Sequence, residues 1–140
     1  MEFSPGLRGV VAGETSISTV GKEGTSLRYR GYDATDLTKN NTYVAVASLI
    51  IADSLNDKDF KKSFAKYYLE ISKDQKINDL LSEIKQTLHP MDVIRTLVSY
   101  KGELTTLRKQ QLDKEDKTEL SERINATVCY IIASYHEESC

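Results

Sequence analysis

The chain lacks most of what marks a protein as exported, membrane-spanning or nucleic-acid-binding. Its 140 residues include only two cysteines, Cys129 and Cys140, too few for a disulfide framework or a thiolate metal site. No apolar run approaches the roughly 20 residues that cross a bilayer. The longest, Val44 to Ala52, is interrupted by Ser48, so no membrane partner is expected. Met1-Glu2-Phe3-Ser4-Pro5 has neither the basic nor the apolar region of a secretion signal. The cytoplasm is therefore the expected compartment, where the sequons Asn40-Asn41-Thr42 and Asn125-Ala126-Thr127 have no meaning. A net charge of −2 supplies no basic surface for phosphates, which argues against nucleic acid as a partner. Glycine is almost missing beyond the first quarter, since six of the seven lie at or before Gly31.

What remains is enough for one domain of ordinary size, with 39% hydrophobic residues to fill a core. The glycine-rich end reads as a β-hairpin over 9–33. Thr15, Ile17 and Thr19 alternate on one face of 14–20, and Leu27 and Tyr29 alternate in 26–30. Between them, Gly21-Lys22-Glu23-Gly24 places glycines where a tight reversal needs positive φ.

The rest reads as about five helices, so the expected fold class is mainly α. Thr42 caps a helix over about 43–53 in which Val46, Ala47, Leu49, Ile50 and Ile51 leave little polar face, as in a helix buried on more than one side. Asp57 caps a second over 57–73, with Phe60, Phe64, Tyr67 and Ile71 as one stripe. Ile77, Leu80, Leu81, Ile84 and Leu88 form the stripe of a third, over 77–88. His89-Pro90 breaks that run, because the residue before proline is pushed out of the helical region. Pro90 then opens a fourth helix over 90–101, with Asp92 in its first turn, Met91, Ile94, Leu97 and Val98 along it, and Gly102 to end it. Residues 108–118 are almost wholly polar, a linker or helix extension. A fifth helix over 119–138 carries Leu120, Ile124, Thr127, Val128, Ile131 and Tyr135 on one face.

Each side chain with chemical potential has a simpler explanation. Gly21-Lys22 lacks the spacing of a phosphate loop, and Glu23 stands where Ser or Thr would bind magnesium. His89 has no Asp, Cys or Ser neighbour placed by sequence to make it a general base, and its position at a helix entrance favours a structural role. His136 suits the negative end of a helix dipole. Asp53, Asp57 and Asp59 lack the spacing and glycine of a calcium loop. Cys129 follows Val128 on an apolar helix and reads as packing. No catalytic, cofactor-binding or metal residue is assigned, and no cofactor is expected.

Several segments are nevertheless specific when taken together. These are Gly9–Asp33, Tyr29-Arg30-Gly31-Tyr32-Asp33, Asp36-Leu37 and His89-Pro90-Met91-Asp92-Val93-Ile94-Arg95-Thr96. They resemble the N-terminal segment of the citrate synthase family, nearest the short bacterial and 2-methylcitrate synthases. The resemblance implies part of a large helical domain from an enzyme that condenses an acyl-CoA with oxaloacetate and then hydrolyses the thioester. Such chemistry needs a base beside the thioester carbonyl and donors that hold the enolate. In the family an Asp and two His do this, with arginines on the substrate carboxylates, all C-terminal to the matched segments. After residue 103 this chain has one His, His136, and two Arg, Arg108 and Arg123, none in the family's catalytic motifs. The chain departs from the family pattern at Asp53, at Leu55-Asn56, at Val44-Ala45 and over Leu97-Val98-Ser99-Tyr100-Lys101.

Two functional readings follow from the resemblance. In one, the chain is the N-terminal structural and dimerisation portion of a citrate or 2-methylcitrate synthase, inactive alone. Acyl-CoA and oxaloacetate then bind only in the full-length form. In the other, a short paralogue has kept the scaffold as a helical binding or regulatory module. In the family, the helices at 91–101 and 119–138 belong to the subunit interface. The expected homodimer contact is therefore Met91, Ile94, Leu97, Val98, Ile124, Val128 and Ile131.

Overall fold

Two consecutive residues of positive φ, Arg30 at 49° and Gly31 at 87°, reverse the chain between strands β2 (Arg28–Tyr29) and β3 (Tyr32–Asp33). Left-handed geometry at both central positions matches the right-handed twist of flanking strands, and glycine supplies one of the two without steric cost. A computed structural model describes residues 9, 11, 13–20, 27–102 and 113–136. They belong to two compact units, Met1–Asn40 and Asn41–Cys140.

In the first unit, β1 (Ser18–Thr19) pairs antiparallel with β2, and β2 with β3, in the order β1-β2-β3. The expected hairpin is thus a three-stranded sheet, because the Arg30–Gly31 turn adds a strand that alternation alone did not reveal. The expected turn at Gly21–Gly24 lies outside the described residues. Asp33 then starts helix α1 (Ala34–Asn40), its Oδ1 accepting from Thr35 N at 2.8 Å and Asp36 N at 3.3 Å. This short helix was not anticipated; its Leu37 is buried.

The described residues of the second unit form five helices and the turns beside them. Helix α2 (Tyr43–Ala52) is capped by Thr42, whose hydroxyl accepts from Ala45 N at 3.3 Å. It ends at Asp53 with φ 58°, the left-handed geometry that Asp tolerates better than most residues. Ala45, Ala47, Ser48 and Leu49 are buried along it, as expected of a helix with little polar face. Ser48 ties this helix to the next turn: its Oγ donates toward Ser54 O at 2.7 Å and accepts from Asp57 N at 3.3 Å. Asp57 caps helix α3 (Lys58–Ser72) through Phe60 N at 2.8 Å. The expected stripe Phe60, Phe64, Tyr67 and Ile71 is buried in full. Fully burying such a side chain is worth about 1.5–3 kcal/mol.

Helix α4 (Gln75–Ile84) begins earlier and ends earlier than its stripe implied. Asp74 caps it, and the chain leaves in turns in which Thr87 N and Leu88 N both donate to Ile84 O. Leu88 is consequently 38% exposed and not part of the stripe. Helix α5 (Pro90–Lys101) has Pro90 at its start and Gly102 at its end with φ 61°. Helix α6 (Lys114–His136) starts five residues before the expected position, because Asp113 Oδ1 accepts from Asp116 N at 2.7 Å and provides a cap. Residues 137–138, expected to continue it, lie outside the described residues.

Two clusters surround α6. Ile131 joins Ile71, Ile77, Leu81, Val93 and Leu97, drawing together α3, α4, α5 and α6. Ala126 joins Ala47, Phe60, Phe64 and Tyr67, with Cys129 packed alongside. The long helix therefore buries two faces, one against α5 and one against α3. Sequence periodicity showed only the first, because Ala126, Cys129 and Glu122 on the second are small or polar.

Candidate functional site

Along the α3–α6 seam, Ser63 and Tyr67 are one turn apart on α3, while Glu115, Thr118, Glu119 and Glu122 recur at helical spacing on α6. These six residues line an open groove of about 520 Å³. Tyr67 Oη donates to Glu119 Oε1 at 3.1 Å, and Arg123 Nε donates to the same oxygen at 3.1 Å. The Arg123 guanidinium lies 4.5 Å from the Tyr67 ring centre, and Lys66 Nζ lies 5.1 Å from it. The Arg123 hydrogen bond, then that of Tyr67, holds the Glu119 carboxyl below the usual carboxylate range. Burial first, and the bond to Glu119 second, raises the Tyr67 phenol.

Glu122 is different in kind, with only 8% of its surface exposed. Burial raises its proton affinity, the hydrogen bond with Ser63 opposes that rise, and the charges of Glu119 and Asp57 add to it. A carboxyl held toward neutrality in a groove is one pattern of an acid–base residue, and structural networks produce it as well. Here the neighbours decide: Glu119, Tyr67 and Arg123 bind one another across the helices, which is what a seam requires.

The other side chains considered for chemistry have structural roles. His89 caps α5, its Nδ1 accepting from Met91 N at 3.2 Å. His136 is exposed on the last turn of α6, edge-on to Tyr135. Cys129 packs against the Ala126 cluster and interacts with Tyr43, whose Oη donates to Asn125 Oδ1 at 2.5 Å. Burial raises the Cys129 thiol, opposite to what a thiolate nucleophile needs. Asp57 is a cap and Asp53 a helix terminus. Gly21-Lys22 lies outside the described residues. Among the described residues no three His, Cys, Asp or Glu side chains form a group able to hold a metal ion.

Of the residues expected at a dimer contact, Leu97 and Ile131 are fully buried in the chain's own core. Ile94 and Val98 are partly buried against that same cluster. Ile124 and Val128 are half-buried, and Met91 is 63% exposed. Ile132, absent from the expected set, is 43% exposed. It lines a small depression with Pro90, Ile94, Ile131, Tyr135 and His136. The two apolar stripes thus meet each other within one chain, and the surface beside them is carried by Met91, Ile94 and Ile132.

A family profile described as citrate synthase, C-terminal domain, matches residues 6–139. The chain belongs to the citrate synthase family. It is similar to the 2-methylcitrate synthase of Shewanella oneidensis, 35% identical over 138 residues covering 96% of this chain and 35% of that protein. It is also similar to the citrate synthase of Heyndrickxia coagulans, 30% identical over 139 residues covering 96% of this chain and 36% of that protein. The 2-methylcitrate synthase 1 of Corynebacterium glutamicum is 38% identical over 100 residues, 69% of this chain and 26% of that protein. The chain therefore spans about a third of the length of the first two relatives. Within this citrate synthase family member, no helix among the described residues is long and apolar enough to cross a membrane.

Proposed function

We propose that this chain is the N-terminal structural and dimerisation part of a citrate or 2-methylcitrate synthase acting in the cytoplasm, and that the 140-residue polypeptide alone does not catalyse the condensation. The family match across 6–139 on a chain that covers about a third of its relatives supports partial coverage of such an enzyme. The resemblance of Gly9–Asp33 and His89–Thr96 to the family's N-terminal segment supports the placement. The reaction joins the carbon beside an acyl-CoA thioester to the ketone carbon of oxaloacetate. Water then cleaves the thioester and releases the CoA thiol. It needs a base at the acyl carbon and preorganised donors for the enolate oxygen. In this chain His89 spends its Nδ1 on a helix cap, and Glu119 already accepts two side-chain hydrogen bonds. What the helices offer in their place is scaffold: a closed core, and beside it an apolar surface at Met91, Ile94 and Ile132 suited to a second copy.

The test is direct. The purified chain is incubated with oxaloacetate and either acetyl-CoA or propionyl-CoA, and free thiol is followed. The expected result is release at the background rate of thioester hydrolysis. Turnover in the common enzyme range of about 1–10³ per second would overturn the reading.

A further inference from the structure

Two serine or threonine side chains are buried among the described residues, Ser48 and Thr127. Their surroundings differ. Ser48 Oγ lies 3.0 Å from Ala45 O and 2.7 Å from Ser54 O, and accepts from Asp57 N at 3.3 Å, so backbone groups fill its capacity. Thr127 is 3% exposed, yet its hydroxyl makes no hydrogen bond with any described residue. It lacks even the bond to the carbonyl one turn earlier that Ser121 makes to Lys117 O. Buried hydroxyls in native proteins are satisfied by the chain or by ordered water.

Thr127 lines a cleft of about 20 Å³ where α3, α5 and α6 meet, together with Tyr67, Glu70 and Ile71 of α3, Lys101 of α5 and Arg123 of α6. Tyr67, Ile71 and Thr127 are buried, whereas Glu70, Lys101 and Arg123 are more exposed and form the rim. The volume exceeds the roughly 10–15 Å³ that one water requires. Charge at the rim is shared out. Lys101 Nζ lies 2.9 Å from Asp74 Oδ2, Arg123 Nε 3.1 Å from Glu119 Oε1, and Lys66 Nζ 3.9 Å from Glu70 Oε1. An anion in the cleft would meet Glu70, and a cation would meet Lys101 and Arg123. Water suits both, because it donates and accepts. The depression beside Ile94 and Ile132 has the same volume, but its lining is mainly apolar and offers a water few partners.

We propose that the Thr127 cleft is the binding site of one ordered water that joins α3, α5 and α6. The water satisfies the Thr127 hydroxyl, accepts from Lys101 or Arg123 and donates to the Glu70 carboxylate. That is within the about two to four partners of an internal water. It carries a polar link from the interior of α6 to the end of α5.

The experiment is a set of crystal structures of the whole chain, wild type, Thr127→Val and Thr127→Ser, in a lattice that leaves the cleft free and at a resolution that shows ordered water. A wild-type crystal is also soaked in bromide. The expected result is one water within about 3.2 Å of Thr127 Oγ1 and of a Lys101 or Arg123 nitrogen. It should be lost in Thr127→Val and kept in Thr127→Ser, with no anomalous bromine signal in the cleft. A wild-type cleft without ordered density overturns the proposal, as does a water undisturbed by Thr127→Val. Bromine in the cleft overturns it in favour of an anion site. A Thr127 hydroxyl bonded to the Arg123 carbonyl instead of to water also overturns it. If Thr127→Val does not fold, the wild-type crystal and its bromide soak decide alone.

Discussion

The Tyr67 hydroxyl donates to Glu119 Oε1 at 3.1 Å across 52 residues of sequence, and Arg123 both shares that oxygen and covers the Tyr67 ring. One side chain thus packs into the core through its ring and fastens α6 through its hydroxyl. Tyr67→Phe keeps the ring and removes one of the two donors to Glu119. The expected loss is about 0.5–1.5 kcal/mol in urea unfolding. Tyr67→Ala removes the buried ring as well, and about 3–5 kcal/mol is expected by analogy with other buried aromatics. Equal losses for the two variants would show that the ring contributes nothing beyond the hydrogen bond.

Asp74 joins two functions at the start of α4. Its Oδ1 accepts from Ile77 N at 3.4 Å as a cap, and its Oδ2 lies 2.9 Å from Lys101 Nζ at the end of α5. Asp74→Ala should cost about 1 kcal/mol from the cap, while Lys101→Met, which keeps the cap, should cost less. The hydrogen bond from Lys101 is the main cause holding the Asp74 carboxyl low. Its contribution is therefore present above the ordinary aspartate value, about 3.9, and is lost as pH falls through the folded value. The gap between wild type and Asp74→Ala should narrow on acidification; a gap that widens would contradict the pairing.

Leu97 and Met91 lie on the same helix with opposite fates, 0% and 63% exposed. Leu97→Ala should cost about 2–5 kcal/mol through the cavity it leaves. Met91→Ala should stay within about 0.5 kcal/mol. Chemical denaturation of both variants checks this, and comparable losses would mean that α5 is turned differently.

Self-association is expected through the surface beside the core, since apolar patches of more than a few hundred Å² seldom stay exposed on a soluble monomer. A two-fold, self-complementary contact is the commonest arrangement. Light scattering on a reduced sample should give a dimer mass. Met91→Asp or Ile132→Asp should lower it to the monomer while the helical dichroism of the folded chain is kept. Leu97→Asp and Ile131→Asp cannot test this, because both positions are interior. A wild-type monomer at tens of micromolar would count against the dimer.

Most of the helical architecture was legible because local signals decided it. Thr42, Asp57, Pro90 and Gly102 mark ends through capping and fixed or permissive φ, and the stripe Phe60-Phe64-Tyr67-Ile71 names its own buried face. The site was less legible. His89 was readable as structural, since it precedes Pro90, yet the spacing of Glu115, Glu119 and Glu122 on α6 looked like any solvated helix surface. Nothing local distinguishes a glutamate that faces water from one that faces Ser63.

By itself, then, the sequence determined the helical class, the helix starts at Thr42, Asp57 and Pro90 and the family resemblance, because these depend on neighbours within a turn or on whole motifs. The tertiary structure alone decided which apolar stripes close on each other. Leu97 and Ile131 entered one core, whereas Met91 and Ile132 stayed outside it. It also decided that α6 buries a second face through Ala126 and Cys129 and places Glu122 out of solvent on the α3 seam. The physical reason is that burial belongs to pairs of surfaces. A helix's own residues say which face is apolar, but the partner's position settles what is covered and which charges must share that cover.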